Sequence, residues 1–185
     1  MLAADRIEIS LQALARFAAI LKNMGVGKVY PVATAAVRRA RNAADFSVPA
    51  EAILGQPIIV LGQSDEAHFV ARGITLNIPR ASGLVADLGG GSLEVVELKK
   101  GEIRNSTSFD FGHLSQIDKH EVAAAIAEQP WIAKAKAGRL YGVGGSFRAV
   151  GSAHIDQTGY PLAVLHGLTI KADKVDRLLK SFCRD

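Results

Sequence analysis

The most informative stretch of this chain is GLVADLGGGSLEVVEL, residues 83–98. A short apolar run ends in Asp87, three glycines and Ser92 follow, and a second apolar run that contains Glu94 begins at once. Both flanks have the composition of β-strands, so the glycines predict a tight turn between two strands. Glycine tolerates a positive φ and lets a ligand approach closely, and consecutive backbone N–H groups can form a concavity for an anion. The stretch therefore predicts a phosphate site, with Asp87 and Glu94 placed to hold a metal ion or a water molecule.

Two familiar glycine motifs do not fit this turn. A Walker loop needs a lysine after its glycines and a helix behind them, whereas Leu93 and a predicted strand follow Ser92 here. The dinucleotide-binding fingerprint also runs from a strand into a helix, with other glycine spacings. An ordinary hairpin is the plainer alternative, although such turns seldom need three glycines bracketed by two acids.

Composition limits the class of protein. The chain has 185 residues, which is one ordinary domain or two small ones, and 49% are apolar, which is ample for a packed core. It has no apolar run as long as a membrane span, which needs about 18 residues. Acidic residues, Asp5 and Glu8, occur within the first eight positions, where a signal peptide would be basic and then apolar. Cys183 is the single cysteine, so an internal disulfide and a cysteine-rich metal site are excluded. We expect a cytoplasmic protein with no membrane partner.

The net charge of +4 mildly favours anionic partners. The basic residues are scattered and are not interleaved with aromatic residues in a long run, so we expect no nucleic-acid partner. The sequence leaves a homodimer of the full-length protein open.

The hydrophobic pattern predicts helices and strands in alternation up to about residue 81, and a three-stranded meander after it. We therefore expect a domain boundary there, with one domain over residues 1–81 and another over 82–185. The predicted helices cover residues 9–24, 35–40, 48–54, 65–72, 122–127, 131–137, 147–150 and 175–182. The predicted strands cover residues 28–33, 57–61, 83–88, 93–99, 102–110 and 139–143. Four hydroxyl side chains are the expected helix caps: Thr34, Ser47, Ser64 and Ser146. Residues 154–167 are expected to be irregular.

A second glycine turn lies in GVGGS, residues 142–146. A helix is predicted behind it, so an anion at Gly144, Gly145 and Ser146 would meet the positive end of a helix dipole. A tight strand-to-helix turn without a ligand is the alternative. Together with residues 89–92, this segment suggests two phosphate-binding turns, and we expect them to converge on one anionic ligand in a shared crevice.

Two charged residues in the first half could take part in chemistry. Glu66 follows a strand and a glycine, where a carboxylate can accept a proton from an attacking water, although acids are also common in a first helical turn because they suit the dipole. Arg38 could bind a phosphate through its forked guanidinium, or it could be a surface arginine.

The histidines show no metal-ligand spacing, and most are expected at the surface or at caps. The sequence also has no nucleophile elbow, so covalent catalysis is not indicated.

The order of four segments resembles the exopolyphosphatase / guanosine pentaphosphate phosphohydrolase (Ppx/GppA) family of the actin, sugar-kinase and Hsp70 superfamily. The segments are ATAAVR (33–38), GQSDEA (62–67), DLGGGSLE (87–94) and GVGGS (142–146). The third resembles the family's Asp-x-Gly-Gly-Gly-Ser-Thr-Glu, with Leu93 in place of the usual threonine. The fourth resembles Gly-x-Gly-Gly-Thr, with Ser146 keeping the hydroxyl. The sequence SFDFG, residues 108–112, is similar to the family's serine-to-glycine segment.

The resemblance implies an α/β fold of two ribonuclease-H-like domains, each with a mixed sheet flanked by helices, around a cleft. It assigns Glu66 as the general base and Arg38 as a contact to substrate phosphate. It assigns Asp87 and Glu94 to Mg²⁺, or another divalent cation, and to the attacking water. The implied phosphate-binding residues are Gly89, Gly90, Gly91, Ser92, Gly144, Gly145 and Ser146. Family members begin with a further phosphate loop, Asp-x-Gly-Ser-x-Ser, which does not precede Ile9, so we expect a truncated chain that is inactive alone.

The expected function is hydrolysis of a terminal phosphoanhydride bond in inorganic polyphosphate or guanosine pentaphosphate. One alternative is a phosphotransferase of the same superfamily, such as a sugar or acetate kinase, in which both turns hold a nucleotide. Another is a non-catalytic sensor that binds polyphosphate or an alarmone without turnover.

Overall fold

The computed structural model describes residues 1–135 and 138–182. The chain divides into two compact units, Met1–Glu66 and the residues from Ala67 onward. No helix within the described residues has both the length and the apolar character that a bilayer-spanning segment requires.

The first unit contains three helices and a two-stranded parallel sheet. Its elements are α1 (Ala4–Asn23), β1 (Val32–Ala33), α2 (Ala35–Arg38), α3 (Ala43–Leu54) and β2 (Ile59–Val60). Helices α1 and α3 pack together, and the backbone N–H of Leu2 donates a hydrogen bond to Asn42 Oδ1 at 2.8 Å. The sheet pairs Val32 with Ile59 and Ala33 with Val60.

Several predicted bounds in this unit are wrong. The strands expected over residues 28–33 and 57–61 are each reduced to two residues. Helix α3 begins after Asn42, which occupies the N-cap position, so the expected cap Ser47 lies inside the helix. Thr34 does take the N-cap position of α2, although its side chain makes no capping hydrogen bond. Ser64 lies within the next helix rather than before it.

The second unit is built on a four-stranded mixed sheet. Helix α4 (Gln63–Asn77) begins in the first unit and leads to the antiparallel strands β3 (Gly83–Leu88), β4 (Leu93–Lys99) and β5 (Glu102–Phe109). Strand β6 (Arg139–Val143) then pairs with β3 in parallel, which gives the order β5-β4-β3-β6. The helices after the meander are α5 (Lys119–Ala127), α6 (Pro130–Lys134), α7 (Gly144–Thr158) and α8 (Ala172–Phe182).

The sheet is covered on both faces. Because side chains alternate along a strand, Val85 and its neighbour Leu84 enter different apolar clusters. The first cluster packs residues of β3 and β4 against α4. Its buried residues are Ala67, Ala71, Ala81, Val85, Val96 and Leu98. The second joins strands to α5 and α6 and has as its buried members Val95, Phe109 and Phe111. The predicted fold class, an α/β arrangement with a mixed sheet flanked by helices, is confirmed.

The second unit also departs from the sequence-based expectation. The division between units falls before Ala67 and not near residue 81, because Ala67 and Ala71 pack in the same cluster as Val85. Helix α7 starts at Gly144 with Val143 as its N-cap, so Ser146 lies in the first turn and does not cap it. The helix continues to Thr158, into the segment expected to be irregular. The predicted end of the helix over 131–137 lies outside the described residues, as does Cys183.

Candidate functional site

The two glycine segments leave the same end of the sheet from neighbouring strands. In the parallel pairing of β3 with β6, Asp87 aligns with Val143, so residues 89–92 and 144–146 follow side by side. The hydroxyl of Ser146 donates a hydrogen bond to the backbone carbonyl of Leu88 at 2.9 Å. Ser146 therefore ties the start of α7 to the end of β3, and the two turns share one edge.

Gly144 makes this close approach possible. Its φ is 85°, in the left-handed region that favours glycine. A Cβ at this position would overlap Asp87 Oδ1. The first N–H groups of a helix have no intrahelical partner and carry the positive end of its dipole, so the start of α7 can accept an anion. Glycine is therefore required at the start of α7, and the expected binding of an anion there stays a prediction.

The first turn differs in one respect from what the sequence suggested. Gly89 and Gly90 do not adopt a positive φ. A Cβ on Gly90 would lie 3.3 Å from Leu114 Cδ1, a contact that this exposed side chain can relieve, and a Cβ on Gly89 would meet only ordinary contacts. The turn is closed by a hydrogen bond from Gly89 N to Ser92 O at 3.0 Å. Ser92 itself is buried, with 4% of its surface exposed.

The two acids of the motif lie opposite each other. Asp87 pairs with Glu94 in the antiparallel register of β3 and β4, so their side chains project from the same face of the sheet. Glu94 is 4% exposed, and its Oε1 accepts a hydrogen bond from the Ser108 hydroxyl at 3.1 Å. Like charges directly opposite are destabilising, and a cation between them would offset the repulsion.

This donor set fits Mg²⁺, which is usually bound by one or two carboxylates together with water and substrate phosphates. Within residues 1–135 and 138–182, no group of three or more His, Cys, Asp or Glu side chains is arranged to hold a metal ion. Asp87 and Glu94 are the carboxylates beside the turns that could hold one.

Arg38 and Glu66 form an ion pair in the first unit. Arg38 Nη1 donates to Glu66 Oε1 and to the backbone carbonyl of Leu61 at 2.7 Å. The Arg38 and Glu66 side chains are 20% and 12% exposed, so both are partly buried and Arg38 is held in place by its ion pair. Arg38 Nη2 is buried and has no hydrogen-bond partner among the described residues. The guanidinium therefore keeps a donor that an added acceptor could use.

One segment at the site was not identified from the sequence. After β5 the chain returns to the first turn, where the backbone N–H groups of His113 and Leu114 donate to Gly89 O and Gly90 O, each at 3.0 Å. The His113 ring atom Nδ1 lies 2.9 Å from the same Gly89 oxygen. The family resemblance of residues 108–112 indicates that the chain lies near the site there, but no pattern in the sequence singles out His113.

A mixed sheet with two backbone turns at one edge and an acid pair beside them is an α/β arrangement whose backbone N–H groups could bind an anion. The model of the Ppx/GppA phosphatase family matches residues 1–184, and the chain belongs to that family.

Solved structures agree on the fold. An exopolyphosphatase from Cytophaga hutchinsonii superposes with a TM-score of 0.81 at 22% identity, over 98% of this chain and 65% of that one. The PPX-GPPA enzyme of Aquifex aeolicus gives a TM-score of 0.71 at 23% identity, over 98% of this chain and 65% of that one. The chain thus spans slightly less than two thirds of these relatives.

Proposed function

We propose that the full-length protein hydrolyses terminal phosphoanhydride bonds and releases orthophosphate from inorganic polyphosphate or guanosine pentaphosphate. The observation that carries the proposal is the shared edge of residues 89–92 and 144–146, with Asp87 and Glu94 opposed beside it. Two sets of backbone N–H groups and a nearby acid pair suit a ligand with several phosphates. Membership of the Ppx/GppA phosphatase family and the likeness to an exopolyphosphatase support this substrate class.

In the proposed mechanism the protein supplies positioning and electrostatics, which are the main sources of acceleration in phosphoryl transfer. The N–H groups of the two turns hold phosphate oxygens. Asp87 and Glu94 would hold Mg²⁺, which when bound neutralises charge on the phosphates. The family resemblance supports two further roles in this proposal: Glu66 as the base that deprotonates the attacking water, and Arg38 as a contact to phosphate through Nη2.

The function is tested by measuring orthophosphate release from polyphosphate and from guanosine pentaphosphate with the purified full-length protein. We expect release from at least one of them, and loss of release when EDTA removes the divalent cation. Transfer of phosphate to ADP in place of release would indicate a phosphotransferase. Tight binding of both substrates with neither release nor transfer would contradict the proposal and indicate a sensor.

Arg38→Lys is expected to raise the KM for the phosphate substrate about tenfold with a smaller effect on kcat. Lysine keeps the charge but lacks the planar guanidinium, in which Nη1 donates to Glu66 and Leu61 while Nη2 is available for the proposed phosphate contact. Steady-state kinetics on the full-length protein checks this. Arg41→Lys is the matched control, because Arg41 is exposed and lies three residues away. Equal kinetics for Arg38→Lys and Arg41→Lys would remove Arg38 from the site.

A further inference from the structure

We propose that residues 112–114, the orienting segment, set the direction of the amide groups in the first phosphate turn, and that His113 is a positioning residue for substrate binding. The identity of the ligand rests on the function proposed above. The orientation of the turn rests on contacts within the second unit alone.

The orienting segment holds both carbonyl groups at the start of the turn. Gly89 O accepts from the His113 backbone N–H at 3.0 Å and from the His113 ring at 2.9 Å. Gly90 O accepts from the Leu114 backbone N–H at 3.0 Å. Three donors from two consecutive residues therefore fix two consecutive peptide groups.

Fixing the carbonyls also fixes the N–H groups. In a trans peptide the C=O and the N–H that follows it point in opposite directions, and the described chain contains no cis peptide bond. Since Gly89 O and Gly90 O point toward the orienting segment, the N–H groups of Gly90 and Gly91 point away from it. The segment thus sets the direction of two successive amide groups, which is the property that an anion-binding turn depends on.

The contact is close enough to require a glycine in the segment. A Cβ on Gly112 would overlap the backbone of both Gly89 and Gly90. Backbone atoms cannot move aside without displacing the turn itself, so Gly112 lets the segment approach within hydrogen-bonding distance.

The His113 ring adds a directional hydrogen bond. A carbonyl oxygen only accepts, so the ring must carry its proton on Nδ1 to make this bond. The opposite tautomer, protonated on Nε2 alone, would place two lone pairs against each other. The arrangement therefore specifies both the tautomer and the ring orientation.

The same residues contribute little to the core. His113 is exposed, and Leu114 is 77% exposed. Burial of apolar surface is the main source of stability in a folded protein, so removing the His113 ring should alter the turn more than it alters the unfolding free energy. A positioning role is separable from a structural one for this reason.

The test compares three variants of the full-length protein. Asn can place an amide donor where Nδ1–H stands, Gln places its amide farther out, near the position of Nε2, and Ala has no donor. The Kd for inorganic tripolyphosphate is measured by calorimetry, and amide shifts of Gly90 and Gly91 are followed by nitrogen-15 NMR. His120→Ala is the control, because His120 is an exposed histidine on α5 of the same unit.

We expect His113→Ala and His113→Gln to weaken tripolyphosphate binding about fivefold, the effect of losing one ordinary hydrogen bond. His113→Asn should restore binding to within about twofold, and all variants should stay folded, with melting temperatures that differ from the parent's by no more than the few degrees that one hydrogen bond contributes. Long-range nitrogen-15 spectra should show the proton on Nδ1. Equal affinity in the Ala, Gln and Asn variants, a neutral ring protonated on Nε2, or unmoved Gly90 and Gly91 amides would each overturn the inference.

These outcomes are distinct from failure of the proposed function. Absence of orthophosphate release, with tripolyphosphate binding and its dependence on His113 intact, would end the hydrolase proposal and leave the orienting role established. Normal orthophosphate release, with no effect of His113→Ala on the affinity for tripolyphosphate, would overturn the orienting role and leave the hydrolase proposal supported.

Discussion

Gly144→Ala in the full-length protein is expected to lower kcat/KM for orthophosphate release about 100-fold, the cost that a misplacement of about 1 Å can impose. Gly144 lies in the left-handed region, with φ of 85°, and an added Cβ would overlap Asp87 Oδ1. The substitution therefore strains the start of α7 and pushes aside a carboxylate of the acid pair. Both effects disturb the edge where the two turns meet.

The same strain should reduce the free energy of unfolding by about 1–3 kcal/mol, which urea denaturation measures. Gly73→Ala is the control, because Gly73 lies inside α4 with no atom within 4 Å of an added Cβ, so its kinetics should be unchanged. If Gly144→Ala kept full activity with a normal urea midpoint, the close approach of Gly144 to Asp87 would have no functional role.

Glu66→Gln is expected to lower kcat by about 10²–10⁴-fold, the usual contribution of a general base, with little change in KM. Glutamine has the same shape and its carbonyl can still accept from Arg38 Nη1, which donates to Glu66 Oε1. It cannot take a proton from water. The fold and the orientation of Arg38 should therefore be preserved while the chemical step slows, and single-turnover kinetics distinguishes that step from product release.

Asp65→Asn provides the matched control for this variant. Asp65 is the adjacent acid in the same helical turn, is exposed, and accepts a hydrogen bond from Gly62 N at 3.1 Å. Its neutralisation should leave kcat close to that of the parent. An equal effect of both substitutions would mean that Glu66 acts only through the charge of the helix N-terminus, and unchanged turnover in Glu66→Gln would exclude it as the base.

The meander of β3, β4 and β5 could be predicted closely because its signals are local. Short apolar runs mark β3 and β4, and the turn between β4 and β5 has Lys100 and Gly101 in the left-handed conformation. Residues 89–92 and 144–146 were likewise identified from short motifs. The alignment of Asp87 with Val143 brings both turns to one edge of the sheet, and their convergence on one anionic ligand stays a prediction.

Features that depend on distant residues could not be predicted. Arg38 and Glu66 lie 28 residues apart, so neither local pattern nor charge revealed their ion pair. The sequence predicts Ser146 as a helix cap, but its hydroxyl donates to the backbone carbonyl of Leu88, a residue on another element. The two-residue strands β1 and β2 are shorter than their apolar runs, because strand length depends on pairing with neighbours. The role of His113 follows only from its contact with Gly89.

The most direct test of the account is a crystal structure of the full-length protein with tungstate, a phosphate mimic located by its anomalous scattering. We predict a tungstate ion with oxygens at about 3 Å, the usual hydrogen-bond distance, from backbone N–H groups of both residues 89–92 and residues 144–146. Tungstate bound to one turn alone, or to a site that involves neither, would contradict the claim that both turns serve a single anion.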